Sequence, residues 1–388
     1  MKGALTDKIA IVGMGCTKFG ENWDKSLFDM IVDAAYEAYQ DAGVEVKDIQ
    51  AAWFGNLYET CGGAWLADAL KLDGKPITRV ENYCATAMDA LRNACFAVAC
   101  GMYDLVLALG AEKLKDSGYV GLATAGMRGH PVLGWGLTAP GSFALAATRH
   151  FARFGTTKEH LAKIAVKNHH NGTLCPKAHF QRAVTLEQVM NAPMIAWPLG
   201  LFDCCPVTDG AAAAIITRAD LARKFTDEPI YIKAIGMSVD AGKPFLRPGF
   251  DYLHWPATVN AGLSAYQQAG IKNPLEEIDV AQVHDCFTIT ELLNYEDLGF
   301  CPKGEGKDYV DAGIFTLEGK LPVNTDGGLK SFGHPVGASG LRMIYELYNQ
   351  LRGKAGARQV KDATRGLAHN LGGTPQICSV TIVGKELG

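Results

Sequence analysis

The sequence predicts an α/β architecture, duplicated within one chain and interrupted by an insertion, and three observations carry that prediction. Short apolar runs alternate with helical patterns from end to end, as buried and mainly parallel strands joined by crossover helices require. A pattern then recurs. Ala38-Tyr39-Gln40-Asp41-Ala42-Gly43 returns 227 residues later as Ala265-Tyr266-Gln267-Gln268-Ala269-Gly270, and Cys84 with Leu91-Arg92 downstream returns 250 residues later as His334 with Leu341-Arg342. Two matches in the same order at similar offsets indicate a duplicated domain. Between the repeats, the stretch from Gly118 to Gly141 is crowded with glycines among Arg128, His130 and Trp135, and reads as a loop region that covers a ligand.

The elements follow in order. Lys8 to Gly13 is the first strand, and Ser26 opens a helix that places Leu27, Ile31, Ala34, Ala35, Ala38 and Ala42 on one face before Gly43 caps it. Gly13-Met14-Gly15 starts like a dinucleotide fingerprint, but the next glycine is Gly20, out of register, so a tight strand exit is expected and no nicotinamide cofactor. A second helix, Ala87 to Cys100, is apolar almost all round and therefore buried on several sides; Gly101 stops it and Leu105 to Leu109 is a strand. Asp203 to Gly210 leads back into the first sheet through Ala211 to Thr217, and Ile278 to Val283 is a strand of the second half. The expected boundaries are 1–117 with 205–222 for the first domain, 118–204 for the inserted loop domain, and 223–388 for the second domain.

Composition narrows the function. A chain of 388 residues, 48% hydrophobic and 20% charged, has material for two or three packed units and is not a disordered polymer. Thirty-seven basic against 41 acidic residues leave a net charge of −4, which gives no global attraction for nucleic acid or an anionic membrane. No apolar run of about 18 residues is long enough to span a bilayer, and no targeting signal is recognisable, so the expected location is the cytoplasm. Eleven cysteines occur without one Cys-x-x-Cys pair, which speaks for reduced, dispersed thiols. Cys204-Cys205 and His169-His170 are read as buried thiols and surface histidines, and no metal site is expected.

Four segments carry chemistry. Cys84, between Asn82-Tyr83 and Ala85-Thr86, lies at a helix start, where backbone N–H groups and the helix dipole lower a thiol pKa from its usual ~8.5 and where its own N–H can serve an oxyanion hole. A free cysteine is often only a small buried hydrophobe; the repeat favours chemistry because it pairs Cys84 with His334. That histidine opens the glycine-rich run Gly333 to Gly340, at a second helix start, where a neutral imidazole suited to a general base is favoured. His284-Asp285-Cys286-Phe287 follows a strand end and offers an N–H donor and a second thiol, and His369-Asn370-Leu371-Gly372-Gly373 reads as a backbone turn able to donate to an oxyanion.

Together these four segments resemble the thiolase superfamily over essentially the whole chain, and in detail its sterol-carrier-protein-X and archaeal acetyl-CoA acetyltransferase branch, in which a His-Asp-Cys-Phe segment replaces Asn-Glu-Ala-Phe. The resemblance implies the thiolase fold, two α/β domains packed as αβαβα layers with an inserted loop domain, and acyl transfer between coenzyme A thioesters. It implies Cys84 as nucleophile, His334 as its base, His284 at the enolate oxygen, and the N–H groups of Cys84 and Gly372 at the tetrahedral oxyanion. Common thiolases carry an acid/base cysteine in a C-terminal Cys-x-Gly; here Asn370-Leu371-Gly372 has no thiol, so the resemblance assigns that role to Cys286. Coenzyme A is expected under residues 118–204, with Arg128, Lys177 and Arg182 as candidates for its phosphates, and a homodimer or dimer of dimers is implied. Members of the branch pair with a small zinc-ribbon/OB-fold protein. Substrates of the branch range from acetoacetyl-CoA to bulky or aromatic 3-oxoacyl-CoA such as benzoylsuccinyl-CoA. Two alternatives stand beside this reading. One is another condensing enzyme of the same fold, against which the Cys286 segment argues. The other is an acyl-CoA-binding or scaffold subunit active only in complex.

Overall fold

The computed structural model describes residues 3, 5–59, 61–117, 138–241 and 247–387. Its strands are β1 (Ile9–Cys16), β2 (Ala51–Gly55), β3 (Ile77–Val80), β4 (Leu105–Glu112), β5 (Met194–Ala196), β6 (Leu199–Gly200), β7 (Gly210–Arg218), β8 (Ile230–Val239), β9 (Val280–Val283), β10 (Arg365–Gly372) and β11 (Ile377–Gly384). Its helices are α1 (Leu27–Ala42), α2 (Gly63–Leu70), α3 (Thr86–Ala99), α4 (Ala139–Phe154), α5 (Lys158–Thr173), α6 (Leu186–Met190), α7 (Pro256–Ala269), α8 (Pro274–Glu277), α9 (Thr288–Asp297), α10 (Gly306–Asp311), α11 (Gly328–Ser331) and α12 (Ser339–Leu351).

Nine strands run in the order β3-β2-β4-β7-β1-β8-β11-β10-β9, with β5 and β6 apart as a hairpin. This order is two halves meeting at β1 and β8, which pair only through Ala10 with Tyr231 and Ile11 with Ile230. In the first half β4 lies parallel to β2 and antiparallel to β7; in the second β10 lies parallel to β9 and antiparallel to β11. The duplication read from the repeat is therefore present in the topology. Helix α1 packs on β1 and β7 at one outer face, α7 on β8 and β11 at the other, and α3 and α12 touch each other between the halves. The layers are αβαβα. Between β4 and β7 the chain forms α4, α5, α6 and the hairpin, with α5 against α9 and α11 of the second half.

The repeated segment closes equivalent helices. Ser26 accepts a hydrogen bond from Asp29 N at the start of α1, and Gly43 and Gly270 end α1 and α7 at φ 64° and 73°, left-handed values that glycine takes without a Cβ clash. One expectation is corrected. Gly13 and Gly15 are not a strand exit, because β1 continues through them to Cys16. Their absent side chains let α1 lie directly on the strand: a Cβ on Gly15 would stand 2.0 Å from Ala34 O, and a Cβ on Gly236 of β8 would stand 2.0 Å from Ala261 O of α7. Ala34 and Ala261 are separated by the same offset as the repeat, so both halves use one glycine for one close approach.

Gly15→Ala and Gly236→Ala are each expected to destabilise the protein by about 1–3 kcal/mol through overpacking. Gly20→Ala, whose Cβ would meet nothing nearer than Asn22 Oδ1 at 3.6 Å, should not. Thermal melts of the three variants check this.

Candidate active site

Cys84 sits in the turn from β3 into α3. Asn82 N donates to Thr86 Oγ1 (2.9 Å), Asn82 Nδ2 donates to Asp89 Oδ2 (2.6 Å), and Tyr83 is held at φ 50°, left-handed for a non-glycine residue. Such a turn stores strain that the surrounding bonds must hold, and it sets Cys84 two residues ahead of α3. His334 differs from the expected helix start. It lies five residues ahead of α12, in the irregular stretch after α11, because Pro335 and the following glycine turn intervene.

The orientation of His334 can be derived. Ser339 Oγ donates its one proton to Pro335 O (2.9 Å), so at 2.7 Å from His334 Nδ1 it accepts, and Nδ1 carries the ring proton. The free lone pair is then on Nε2. His284, at the end of β9, meets the His334 ring edge-on at 5.2 Å between centroids, and its Nδ1 accepts from Asn370 Nδ2 at 3.2 Å, which leaves its Nε2–H free to donate. A ring nitrogen of each histidine and the Cys84 sulfur all lie within 4.8 Å of one another. Cys286 is beside them: its carbonyl accepts from Cys205 N at 2.9 Å and its sulfur lies 3.6 Å from Thr290 Oγ1.

Burial governs the electrostatics. It pushes the Cys84 thiol up to about 12, with the Glu112 carboxylate adding to the rise and the N–H groups of Gly373 and Cys84 itself opposing it. The lowered thiol pKa expected from a helix start is overturned, because desolvation exceeds what two N–H donors return. Burial likewise lowers His334 to about 3, with Arg342 contributing. It holds His284 well below the ordinary imidazole range, and there His334 and His369 add to the effect. Cys286 is held well above the ordinary thiol range by burial and then by Cys205. These directions leave the thiols and imidazoles of the site uncharged at neutral pH.

A family model for the thiolase N-terminal domain matches residues 9–220, and one described as thiolase C-terminal domain-like matches residues 250–385. The chain belongs to the thiolase family. By that membership it is an acyltransferase that uses coenzyme A thioesters. It is 43% identical to an acetyl-CoA acetyltransferase of Methanothermobacter thermautotrophicus over 97% of this chain and 99% of that protein. It is 37% identical to sterol carrier protein 2 of Gallus gallus over 94% of this chain and 70% of the relative. Among solved structures, an Ltp2-ChsH2(DUF35) aldolase superposes with a TM-score of 0.86 over 99% of both chains at 28% identity. Human mitochondrial 3-ketoacyl-CoA thiolase in complex with CoA superposes at 0.72 over the whole of both chains at 18% identity, a likeness of fold.

The remaining expected residues of this thiolase are less uniform. His369 to Gly372 is not a turn but the end of β10, and the turn starts at Gly373 (φ 69°). Gly372 packs on the Cys84 turn, where a Cβ would stand 2.8 Å from Asn82 O; it is the next N–H, that of Gly373, that acts on the sulfur. Lys177 is engaged elsewhere, its ammonium on Glu37 Oε1 at 2.5 Å and over the Tyr345 ring at 4.9 Å. Arg182 is exposed at a cleft of about 530 Å³ that also includes Phe180 and Phe202, and Arg128 lies outside the described residues. His169 is buried against Phe180 and Phe202 rather than on the surface, while His170 is exposed. Of metal-ligating types, Cys84, His284 and His334 converge among the described residues, not Cys204-Cys205 or His169-His170. Sequence reasoning missed Ser339 and gave Asn370 no role; the only signal for Ser339 is its place five residues after His334.

Difference titration at 240 nm of the wild type against Cys84→Ala should show no Cys84 thiolate below about pH 9, given a thiol pushed up to about 12 and an imidazole lowered to about 3. A thiolate step near neutrality would instead mean a resting ion pair. Ser339→Ala frees the ring to turn and should slow iodoacetamide alkylation of Cys84 about tenfold, the worth of one such hydrogen bond.

Proposed function

We propose that this protein is a thiolase that cleaves or forms a 3-oxoacyl-CoA by ping-pong acyl transfer through a Cys84 thioester. The convergence of Cys84, His334 and His284 within 4.8 Å, with the Cys286 thiol alongside, is the observation that carries it. In the cleaving direction the Cys84 sulfur attacks the 3-keto carbon while its proton goes to His334 Nε2. The oxyanion meets the N–H of Cys84 and those of the Gly372-Gly373 pair, donors worth ~10²–10³ in rate each. When the C2–C3 bond breaks, its electron pair becomes the enolate of the departing acyl-CoA, whose oxygen meets His284 Nε2–H and whose carbon takes the proton of Cys286. The thiol of a second coenzyme A then gives its proton to the Cys286 thiolate and takes the acyl group from Cys84, whose departing sulfur recovers its proton from His334. In the condensing direction Cys286 receives the α-proton instead.

Formation of acetoacetyl-CoA is the substrate assignment that the 43% identical acetyl-CoA acetyltransferase favours. A bulky or aromatic acyl group rests on residues 118–141, most of which lie outside the described residues. Of the two basic candidates for the coenzyme A phosphates among the described residues, Arg182 rather than Lys177 is exposed at a cleft. The protein acts as a homodimer or dimer of dimers, and the likeness to an Ltp2-ChsH2(DUF35) aldolase supports a small zinc-ribbon/OB-fold protein as partner. Thiolysis of acetoacetyl, long-chain and aryl 3-oxoacyl-CoA, with and without captured partners, separates these substrates and separates an enzyme from a scaffold subunit.

Cys84→Ala should take up no acyl group from acetyl-CoA by intact-mass analysis. Cys286→Ser should still be acetylated yet lose carbon–carbon cleavage by at least about 10²-fold, the usual worth of a positioned acid. A fully active Cys286→Ser would remove Cys286 from the mechanism.

A further inference from the structure

The base His334 lies on a stretch without regular structure, yet it must meet the Cys84 sulfur to within a fraction of an ångström, since about 1 Å of misplacement can cost 10²-fold in rate. Two fully buried carboxylates, one from each half of the molecule, hold the two ends of that stretch. Asp285, between His284 and Cys286, accepts from Leu329 N (2.6 Å) and Lys330 N (3.1 Å) of α11, just before His334, and from Asn168 Nδ2 (2.9 Å). Glu112, at the end of β4, accepts from Gly337 N (3.0 Å), three residues after His334, and from Leu57 N, Tyr58 N and Glu59 N at 2.9, 2.7 and 3.1 Å.

Among the described residues neither carboxylate forms an ion pair; their partners are backbone N–H groups and one amide. Burial raises both carboxyls to about 7, and the directed backbone donors oppose that rise; whether or not the carboxyl is charged, donors fixed in the backbone fix the backbone in turn. The sequence also keeps side chains out of both docking points. A Cβ on Gly328 would lie 2.4 Å from Asp285 Oδ2, and a Cβ on Gly337 would lie 2.6 Å from Glu112 Oε2.

We propose that Asp285 and Glu112 are positioning residues, a two-sided carboxylate clamp that holds His334 in register with Cys84. The proposal rests on the thiolase reading for its purpose, but its test uses no acyl-CoA. Alkylation of Cys84 by iodoacetamide, followed by mass of the Cys84 peptide, reads the Cys84–His334 contact directly and survives a failure of the substrate assignment. Asp285→Asn and Glu112→Gln should each slow alkylation roughly 10–100-fold, the cost of displacing a catalytic group by about an ångström. In a His334→Ala background the same changes should slow it no further. Gly337→Ala, which pushes the stretch off Glu112 without removing a charge, should reproduce the Glu112→Gln effect and serves if that variant does not fold. Wild-type alkylation rates in the amide variants would overturn the clamp, as would an equal slowing with and without His334. Failure of all three variants to yield folded protein would overturn it too, by making the carboxylates structural.

Discussion

Burial of a neutral thiol beside a neutral imidazole, at the seam where the two halves meet, is the constraint on which the rest of this structure depends. Cys84 comes from the first half and His334 from the second, so neither domain holds a site by itself. Packing at the seam desolvates both groups, raising Cys84 and lowering His334 although the Cys84 residue as a whole is only half-buried, and the seam must also be tight. Tightness is achieved with glycines: a Cβ on Gly110 would lie 2.2 Å from Gly337 O, and one on Gly340 would lie 2.8 Å from Met88 N. Strand β4 therefore meets the His334 stretch, and α3 meets α12, backbone to backbone, where small shifts are resisted by close packing rather than by flexible side chains.

Polar groups at such a seam need partners, and several find them across the duplication or within the second half, while Arg342 Nε and Nη2 have none among the described residues. Glu112 reaches Gly337 from the opposite half. Arg342, fully buried on α12, is neutralised by Asp326 at 2.7 Å and bonded to Gln282 Oε1 at 2.6 Å. Lys330, also buried, donates to Cys204 O at 2.7 Å, tying the insertion's exit to α11. The Glu112–Gly337 and Lys330–Cys204 bonds join segments 225 and 126 residues apart, so the packing of the interface and the geometry of the site are one construction.

That distance explains what could be read from the sequence and what could not. The α/β class and the duplication were legible because they are written locally, in apolar periodicity and in the repeat that ends at Gly43 and Gly270; the pairing of Cys84 with His334 followed from the same repeat. Ser26 and Gly43 announced α1 through its caps. Gly13 and Gly15 were visible as glycines, but their use was not, since it depends on how closely α1 lies on β1. Glu112 gave no sign of its role, because its partner Gly337 is 225 residues away. The direction of the Cys84 shift was also hidden. Helix dipole and N–H donors are readable from a motif, whereas desolvation is a property of everything packed around it. Lys177 illustrates the same point: a basic residue in the right stretch is taken by Glu37 and by the carbonyl of Cys16.

In the proposed mechanism the two thiols take two roles through their surroundings alone. Both are raised by burial, so both rest protonated. Cys84 has two N–H donors at its sulfur and a bare imidazole nitrogen within reach, so loss of its proton is compensated as the carbon–sulfur bond forms. Cys286 has a threonine hydroxyl at 3.6 Å and thiols for neighbours. That hydroxyl opposes the rise only in part, which suits Cys286 to its proposed role as proton donor to a carbanion better than to that of nucleophile. A carbanion is a far stronger base than a buried thiolate, so the same high pKa that would disable a nucleophile suits the acid. In the proposed cycle Cys286 regains its proton from the thiol of the incoming coenzyme A, so its nearly complete burial needs no exchange with solvent. The proposed difference between nucleophile and acid thus lies in the His334 lone pair and the Gly373 N–H, both delivered to Cys84 by elements of the second half.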